Sequence, residues 1–186
     1  MKILVTYKSK TDFTKKYAEI IAKEVDGYIV DFKEVTAEKM SEFDVVVYGG
    51  GLYAGMVNGL KKTKEMFGKS SARKLIVFTT GGTPNEVTKE IDAVWKNNFT
   101  AEELVSIPHF YMQSGICYEK MSFGNKMLMK MMANILSKKK NMDKEEDGFA
   151  QAIKHSYDIS SKEYADPLIK FLLEGKVTVQ PAMSFS

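Results

Sequence analysis

Five short apolar runs rich in β-branched residues recur along the first two thirds of the chain: Ile3–Tyr7, Tyr28–Phe32, Val45–Tyr48, Leu75–Thr79 and, less cleanly, Ile107–Met112. Helix-length segments lie between most of them. A strand that is apolar almost without interruption is buried on both faces, and a crossover of helical length joins it to a parallel neighbour. Lys15–Val25 sets Tyr17, Ala18, Ile21, Ala22 and Val25 on one helical face, with Gly27 as the stop. Leu60–Phe67 and Glu86–Phe99 read as further helices, while the link between the second and third strands is shorter and less regular. The pattern predicts an α/β open sandwich, with a parallel sheet of about five strands and helices on both faces. At 186 residues the chain is short of the ~250 typical of a closed (β/α)8 barrel, and eight βα units are not present.

The last third breaks this rhythm. Met121–Leu136 carries Met127, Leu128, Met131, Met132, Ile135 and Leu136 at helical spacing, with Lys126 and Lys130 interleaved and Lys138-Lys139-Lys140 following. Phe149–Tyr157 reads as another helix, and Asp166-Pro167 as the N-cap and first residue of a last helix ending at Gly175. Residues 1–175 are therefore taken as one domain with a helical insertion, and 176–186 as a tail. The formal charge of +3 is unevenly spread: residues 1–119 balance, whereas 120–144 hold seven Lys against one acid. That basic segment has two readings. Its methionines serve as adaptable core or lid packing, or its face meets anionic lipid or an acidic partner as a peripheral membrane contact.

Composition removes most other chemistry. Cys117 is the only cysteine, so an internal disulfide or a Cys-rich metal site is excluded. His109 and His155 are the only histidines, and no metal site is expected. Arg73 stands alone beside 26 lysines, a poor basis for reading nucleic-acid bases, and no nucleic-acid partner is expected. No apolar run approaches the ~20 residues of a membrane span, and Met1–Val5 turns polar too early for a signal peptide, so a cytoplasmic location is expected. Walker-type and G-x-S-x-G motifs are missing. Gly49-x-Gly51-x-x-Ala54 matches a dinucleotide fingerprint, but after the wrong strand and without the acid that should follow. Cys117 reads as a buried structural thiol, and His109 as structural or solvent-facing.

Ligands of open parallel sheets bind beyond the carboxyl ends of the strands. After the first strand comes Ser9-Lys10-Thr11-Asp12-Phe13-Thr14, leading directly into a helix. Its hydroxyls and first-turn N–H groups form an anion site, or Thr11 or Asp12 simply caps the helix. After the third comes Gly49-Gly50-Gly51-Leu52-Tyr53-Ala54-Gly55, and after the fourth Thr79-Thr80-Gly81-Gly82-Thr83-Pro84-Asn85. One hydroxyl-rich loop and two glycine-rich loops at successive strand ends can enclose a flat ligand with an anionic tail.

This combination resembles the flavodoxin family, whose phosphate loop has the form S/T-x-T-G-x-T; Ser9, Thr11 and Thr14 take its hydroxyl positions, and Asp12 replaces its glycine. A carboxylate there must turn outward or cap the helix. The chain is more closely similar to the flavodoxin-like, quinone-dependent protoporphyrinogen oxidases. The likeness rests on Gly49…Tyr53-Ala54-Gly55, on the turn Gly115-Ile116-Cys117-Tyr118 and on the Met-rich helix that follows, with Glu119, Lys120 and Phe123 where that family has arginines and aromatics. The resemblance implies an FMN cofactor. Its phosphate would lie on Ser9–Thr14 and its ring between Gly50–Gly55 and Thr80–Thr83, with Tyr53 as a stacking contact. Peptides around Gly49–Gly51 would reorient toward the flavin, and no dedicated acid–base residue is implied. It further implies an oxidoreductase that moves electrons from an organic substrate to a quinone or other acceptor. The alternative is an electron carrier between redox partner proteins.

Overall fold

The apolar runs pair into one sheet. The computed structural model describes residues 1–121, 123–137 and 155–177. Strands β1 (Ile3–Lys8), β2 (Tyr28–Asp31), β3 (Val45–Tyr53), β5 (Lys74–Gly81) and β6 (His109–Gln113) lie parallel in the order β2-β1-β3-β5-β6. The short β4 (Met56–Val57) folds back antiparallel on the end of β3. The order reverses direction between β1 and β3, which opens a crevice at their carboxyl ends.

Period-two alternation sends each strand's residues to two cores. On one face Ile3, Val5, Val45, Val47, Ile76 and Phe78 are buried under Tyr17, Ala18 and Ile21 of α1 (Phe13–Glu24), and under Leu168, Ile169 and Leu172. The last three belong to the final helix, Asp166–Val177. On the other face Leu4, Val46, Tyr48, Leu75 and Val77 pack on Met40 of α2 (Ala37–Met40), Leu60 of α3 (Leu60–Phe67) and Trp95 of α4 (Thr88–Asn98). The expected α/β open sandwich is thus the fold observed.

Several local expectations are corrected. β3 does not stop at Tyr48: Gly49, Gly50 and Gly51 continue the ladder opposite Phe78, Thr79 and Thr80. A Cβ on Gly49 would fall 2.1 Å from the buried Phe78 ring, so here glycine admits a neighbouring side chain. The turn comes later, at Ala54 (φ 47°) and Gly55 (φ 76°), a two-residue hairpin of the kind that matches strand twist. The third predicted helix is observed as α4, within the expected range, and extended Phe99 ends it; a further helix that was not expected, α5 (Ala101–Ser106), follows behind a Thr100–Glu103 capping box. Gly27 does not itself take the left-handed position that ends α1. Asp26 does (φ 51°), and the Gly27 N–H donates to the Ala22 carbonyl at 2.8 Å.

Beyond the main sheet, β7 (Gly115–Ile116) pairs antiparallel with β8 (Tyr157–Asp158), so Tyr157 ends no helix as expected; residues 149–154 of that expectation lie outside the described residues. The Met-rich helix α6 spans Phe123–Ser137, and its lysine run 138–140 lies outside them too. The final helix, α7, continues past Gly175. His109 is structural: its ring packs 4.7 Å from Trp95 and 5.4 Å from Phe99, with Nδ1 2.8 Å from the Ile107 carbonyl.

Candidate functional site

A cavity of about 370 Å³ lies at the carboxyl ends of β1, β3 and β5, and three walls enclose it. The first is the β1–α1 loop, with Lys10, Thr11, Phe13 and Thr14 on the cavity. Its shape depends on Asp12, which holds φ 67°, the left-handed conformation that a glycine would adopt freely and an aspartate tolerates. The Asp12 side chain makes no capping bond and instead pairs with Lys120, outside the cavity. The first intrahelical bond runs from Lys16 N–H to the Asp12 carbonyl at 2.9 Å, so the preceding first-turn N–H groups have no carbonyl partner within the helix. Thr14 Oγ1 lies 2.8 Å from Thr80 Oγ1 in a buried contact that ties the loop to β5. Ser9 Oγ is buried with no partner, as expected of a hydroxyl waiting for a ligand.

The second wall comprises Gly51–Gly55 from the β3–β4 hairpin and Thr80–Thr83, the end of β5 and the two residues beyond it. Gly50 stands behind it, inside the ladder, where its carbonyl accepts from Thr79 Oγ1 at 2.7 Å. The Gly51 carbonyl accepts from Asn58 N–H at 3.0 Å. Peptides Gly49–Gly51 are therefore held in the ladder, contrary to the expectation that they reorient, and the turn Ala54–Gly55 lies outside the main ladder. Even there Asn98 Nδ2 donates to the Gly55 carbonyl at 2.8 Å. Tyr53 is half-exposed at the rim with Lys10 Nζ 5.1 Å from its ring centre. The Thr83 carbonyl accepts from Tyr111 OH at 2.8 Å, and burial pushes that phenol's pKa well up, so it remains a donor.

The third wall is the arm from Gly115 through α6, with Ile116, Cys117, Lys120, Met121 and Met129 on the cavity. Cys117 is thus not a buried structural thiol: it is half-exposed beside the cavity, with its Sγ 3.5 Å from Glu119 Oε2. Ser156 Oγ donates to Glu119 Oε2 at 2.6 Å, which lowers the Glu119 pKa, and accepts from Tyr118 N–H at 2.9 Å. Lys16 of α1 pairs with Asp158 of β8 at 3.0 Å.

Of the sequence-derived site residues, Lys10, Thr11, Phe13, Thr14, Gly51, Leu52, Tyr53, Ala54, Gly55, Thr80, Gly81, Gly82 and Thr83 line one cavity, while Ser9, Asp12 and Gly50 support it from behind or beside. Sequence reasoning missed Asn58, Val94, Ser114 and the cavity faces of Met121 and Met129. The Gly115–Tyr118 turn and the Met-rich helix after it were the signals for this wall. Lys8, Lys10 and Lys120 line the cavity and no carboxylate does.

Over residues 4–143 the chain matches the flavodoxin domain. The chain belongs to the flavodoxin domain family. FMN is the cofactor of this fold, and the residues present fit it. The β1–α1 loop offers first-turn N–H groups and the cavity-lining Thr11 and Thr14 to the phosphate, with the orphaned Ser9 Oγ directly behind them, and the hairpin and the Thr80–Thr83 segment flank a slot for the ring.

An uncharacterized protein of Methanocaldococcus jannaschii is 30% identical over 86 residues, which is 45% of this chain and 57% of that protein. The match thus spans a little over half of that relative. Among solved structures, a flavodoxin from the domain Archaea aligns with 16% identity and a TM-score of 0.36, covering 83% of this chain and all of that one. The oxidised flavodoxin 2 of Bacillus cereus aligns at 18% and 0.42, covering 61% and 84%. A Lactobacillus acidophilus flavoprotein in complex with FMN aligns at 16% and 0.42, covering 60% and 91%.

Proposed function

We propose that this flavodoxin-domain protein is an FMN-dependent oxidoreductase that takes electrons from an organic substrate and passes them to a quinone or similar acceptor, in the manner of protoporphyrinogen oxidases. The reading rests on one observation above others: the cavity continues past the flavin-binding loops onto an apolar wall of Ile116, Met121 and Met129, bordered by Lys120. A carrier that exchanges electrons with other proteins through an exposed flavin edge has no use for such a wall. A small conjugated molecule does, because it must lie against the ring.

FMN supplies the redox chemistry when bound, and the protein's part is to bind, orient and tune it. Lys8 and Lys10 favour the reduced, anionic form of the flavin, since no carboxylate lines the cavity, whereas Lys120 is already offset by Asp12. A cationic rim also suits a substrate bearing carboxylates. Tyr111, kept protonated by burial, fixes the Thr83 segment rather than moving protons.

The second reading, an electron carrier between redox proteins, is favoured by the half-exposed Tyr53 at the rim, which leaves the hairpin side of the cavity open to a docking partner. Turnover of FMN-loaded protein with protoporphyrinogen plus menaquinone, compared with reduction by ferredoxin-type partners, separates the two. Quinone-dependent substrate oxidation supports the enzyme reading. Rapid exchange with ferredoxins alone assigns the carrier.

A further inference from the structure

The two faces of α6 differ. Ala133 is buried and Met129 half-buried against Ile116, so this side closes the cavity. On the other side Phe123 (80% exposed), Met127 (61%), Met131 (53%) and Ile135 (61%) follow one another at four-residue spacing, an apolar stripe that covers about a third of the helix circumference. Lys126 and Lys130 run along one border of that stripe, and Asn134 is the polar residue exposed beside it. From Lys120 to Ser137 the sequence has no acid. Just past the helix it adds Lys138, Lys139 and Lys140, before the acids Asp143, Glu145, Glu146 and Asp147.

We propose that this face of α6 docks on the surface of an anionic lipid bilayer. The apolar stripe would enter the headgroup boundary, with Lys126 and Lys130 reaching anionic headgroups from its border. The charge pattern selects this occupant over a second copy of the chain. Antiparallel pairing of two copies on this face sets their lysine rows side by side, with no carboxylate on either helix to offset them. A bilayer rich in phosphatidylglycerol meets both halves of the pattern, one with its acyl region and one with its headgroups. The length of α6 fits the same mode: no helix among the described residues is long and apolar enough to cross a membrane, so α6 lies along the surface. Because Met129 of the same helix lines the cavity, docking brings the cavity wall to the lipid. The docking itself does not depend on the electron acceptor proposed above.

The test is co-sedimentation of the full-length, FMN-loaded protein with phosphatidylcholine vesicles, with and without phosphatidylglycerol, at low and high salt. The expected result is sedimentation with the anionic vesicles, weakened several-fold by high salt. The double variant Met127→Glu/Met131→Glu should lose it while keeping the wild-type flavin spectrum, which serves as the control for folding. Lys126→Gln/Lys130→Gln should reduce it without abolishing it. Failure to sediment with anionic vesicles overturns the proposal, as does binding that ignores both salt and phosphatidylglycerol. A dimer in size-exclusion chromatography that Met131→Glu dissociates, without vesicle binding, assigns the face to a second copy. Salt-sensitive retention on polyglutamate without vesicle binding assigns it to an acidic protein.

Discussion

The β1–α1 loop and the arm from Gly115 to Ser137 face each other across one cavity, yet they are anchored very differently. The loop grows out of β1, whose Ile3–Thr6 are fully buried, and it is pinned by the Thr14–Thr80 contact to the centre of the sheet. The arm is held by a two-residue ladder with β8, a small apolar cluster around Ile116 and Ala133, and half-exposed polar contacts such as Lys120–Asp12 and Lys16–Asp158. The loop that would hold the cofactor is thus anchored in the buried sheet, and the wall that would select a substrate or surface rests on a two-residue ladder and partly exposed contacts. Such a division would let the arm open locally without disturbing a phosphate on the β1–α1 loop.

Two glycines break or sharpen the contrast most strongly. Gly49→Ala drives a methyl into Phe78 at the centre of the sheet and should cost about 3 kcal/mol in urea unfolding. A Cβ on Gly115 would fall 2.0 Å from the Tyr157 carbonyl oxygen, so Gly115→Ala should separate β7 from β8. Its main unfolding transition should stay in place, while hydrogen-exchange protection of the Ile159 amide, which bonds the Ser114 carbonyl at 3.1 Å, is lost. Equal losses of stability in the two variants would make the arm part of the core.

Next in size is the cofactor. Thr14→Val leaves Thr80 Oγ1 without its buried partner and removes a loop hydroxyl, so FMN affinity should fall about tenfold or more in fluorescence titration. Met129→Ala, on the arm, should change FMN affinity by less than about threefold while altering the KM for an apolar acceptor. The reverse ranking would place the binding energy on the arm.

The sheet was legible in the sequence because Val45–Tyr48 and Leu75–Thr79 are apolar runs that only a doubly covered strand can bury. The extension of β3 through Gly49–Gly51 was not. Glycine clusters signal turns locally, and only the Phe78 ring across the ladder shows why they are glycine. Asp12 was legible as an intruder that had to turn outward, but not its partner Lys120, 108 residues away. The capping box Thr100–Glu103 stood in the sequence, but the six-residue helix it opens is too short to show a helical period. Met121 and Met129 looked like packing, since nothing local distinguishes a methionine that faces a core from one that faces a cavity.

A smaller effect is expected in the flavin potential. Lys10→Gln removes a cavity cation with no carboxylate to compensate, so the two-electron midpoint should fall by about 20 mV, roughly 1 kcal/mol, in spectroelectrochemistry. An unchanged potential would show that Lys10 serves only the Tyr53 rim.

The smallest effect concerns pH. Partial burial opposes the Asp158 carboxylate, but hydrogen bonds from Ser160 and the Lys16 ammonium outweigh it and hold its pKa below the usual value. The Ser156 hydroxyl likewise lowers that of Glu119. Groups with pKa lowered on folding stabilise above their unfolded values, about 4, and lose that contribution as pH falls through the folded ones. Hydrogen exchange between about pH 5 and 3 should therefore loosen the arm before the main sheet. Simultaneous loss of both would contradict the division.

The most direct measurement of the central claim is a titration of the cofactor-free protein with FMN and, in parallel, with riboflavin. If the β1–α1 loop is the phosphate anchor, FMN should bind at least about 100-fold more tightly, with Thr14→Val narrowing the gap. Equal affinities, or no FMN binding at all, would contradict the account.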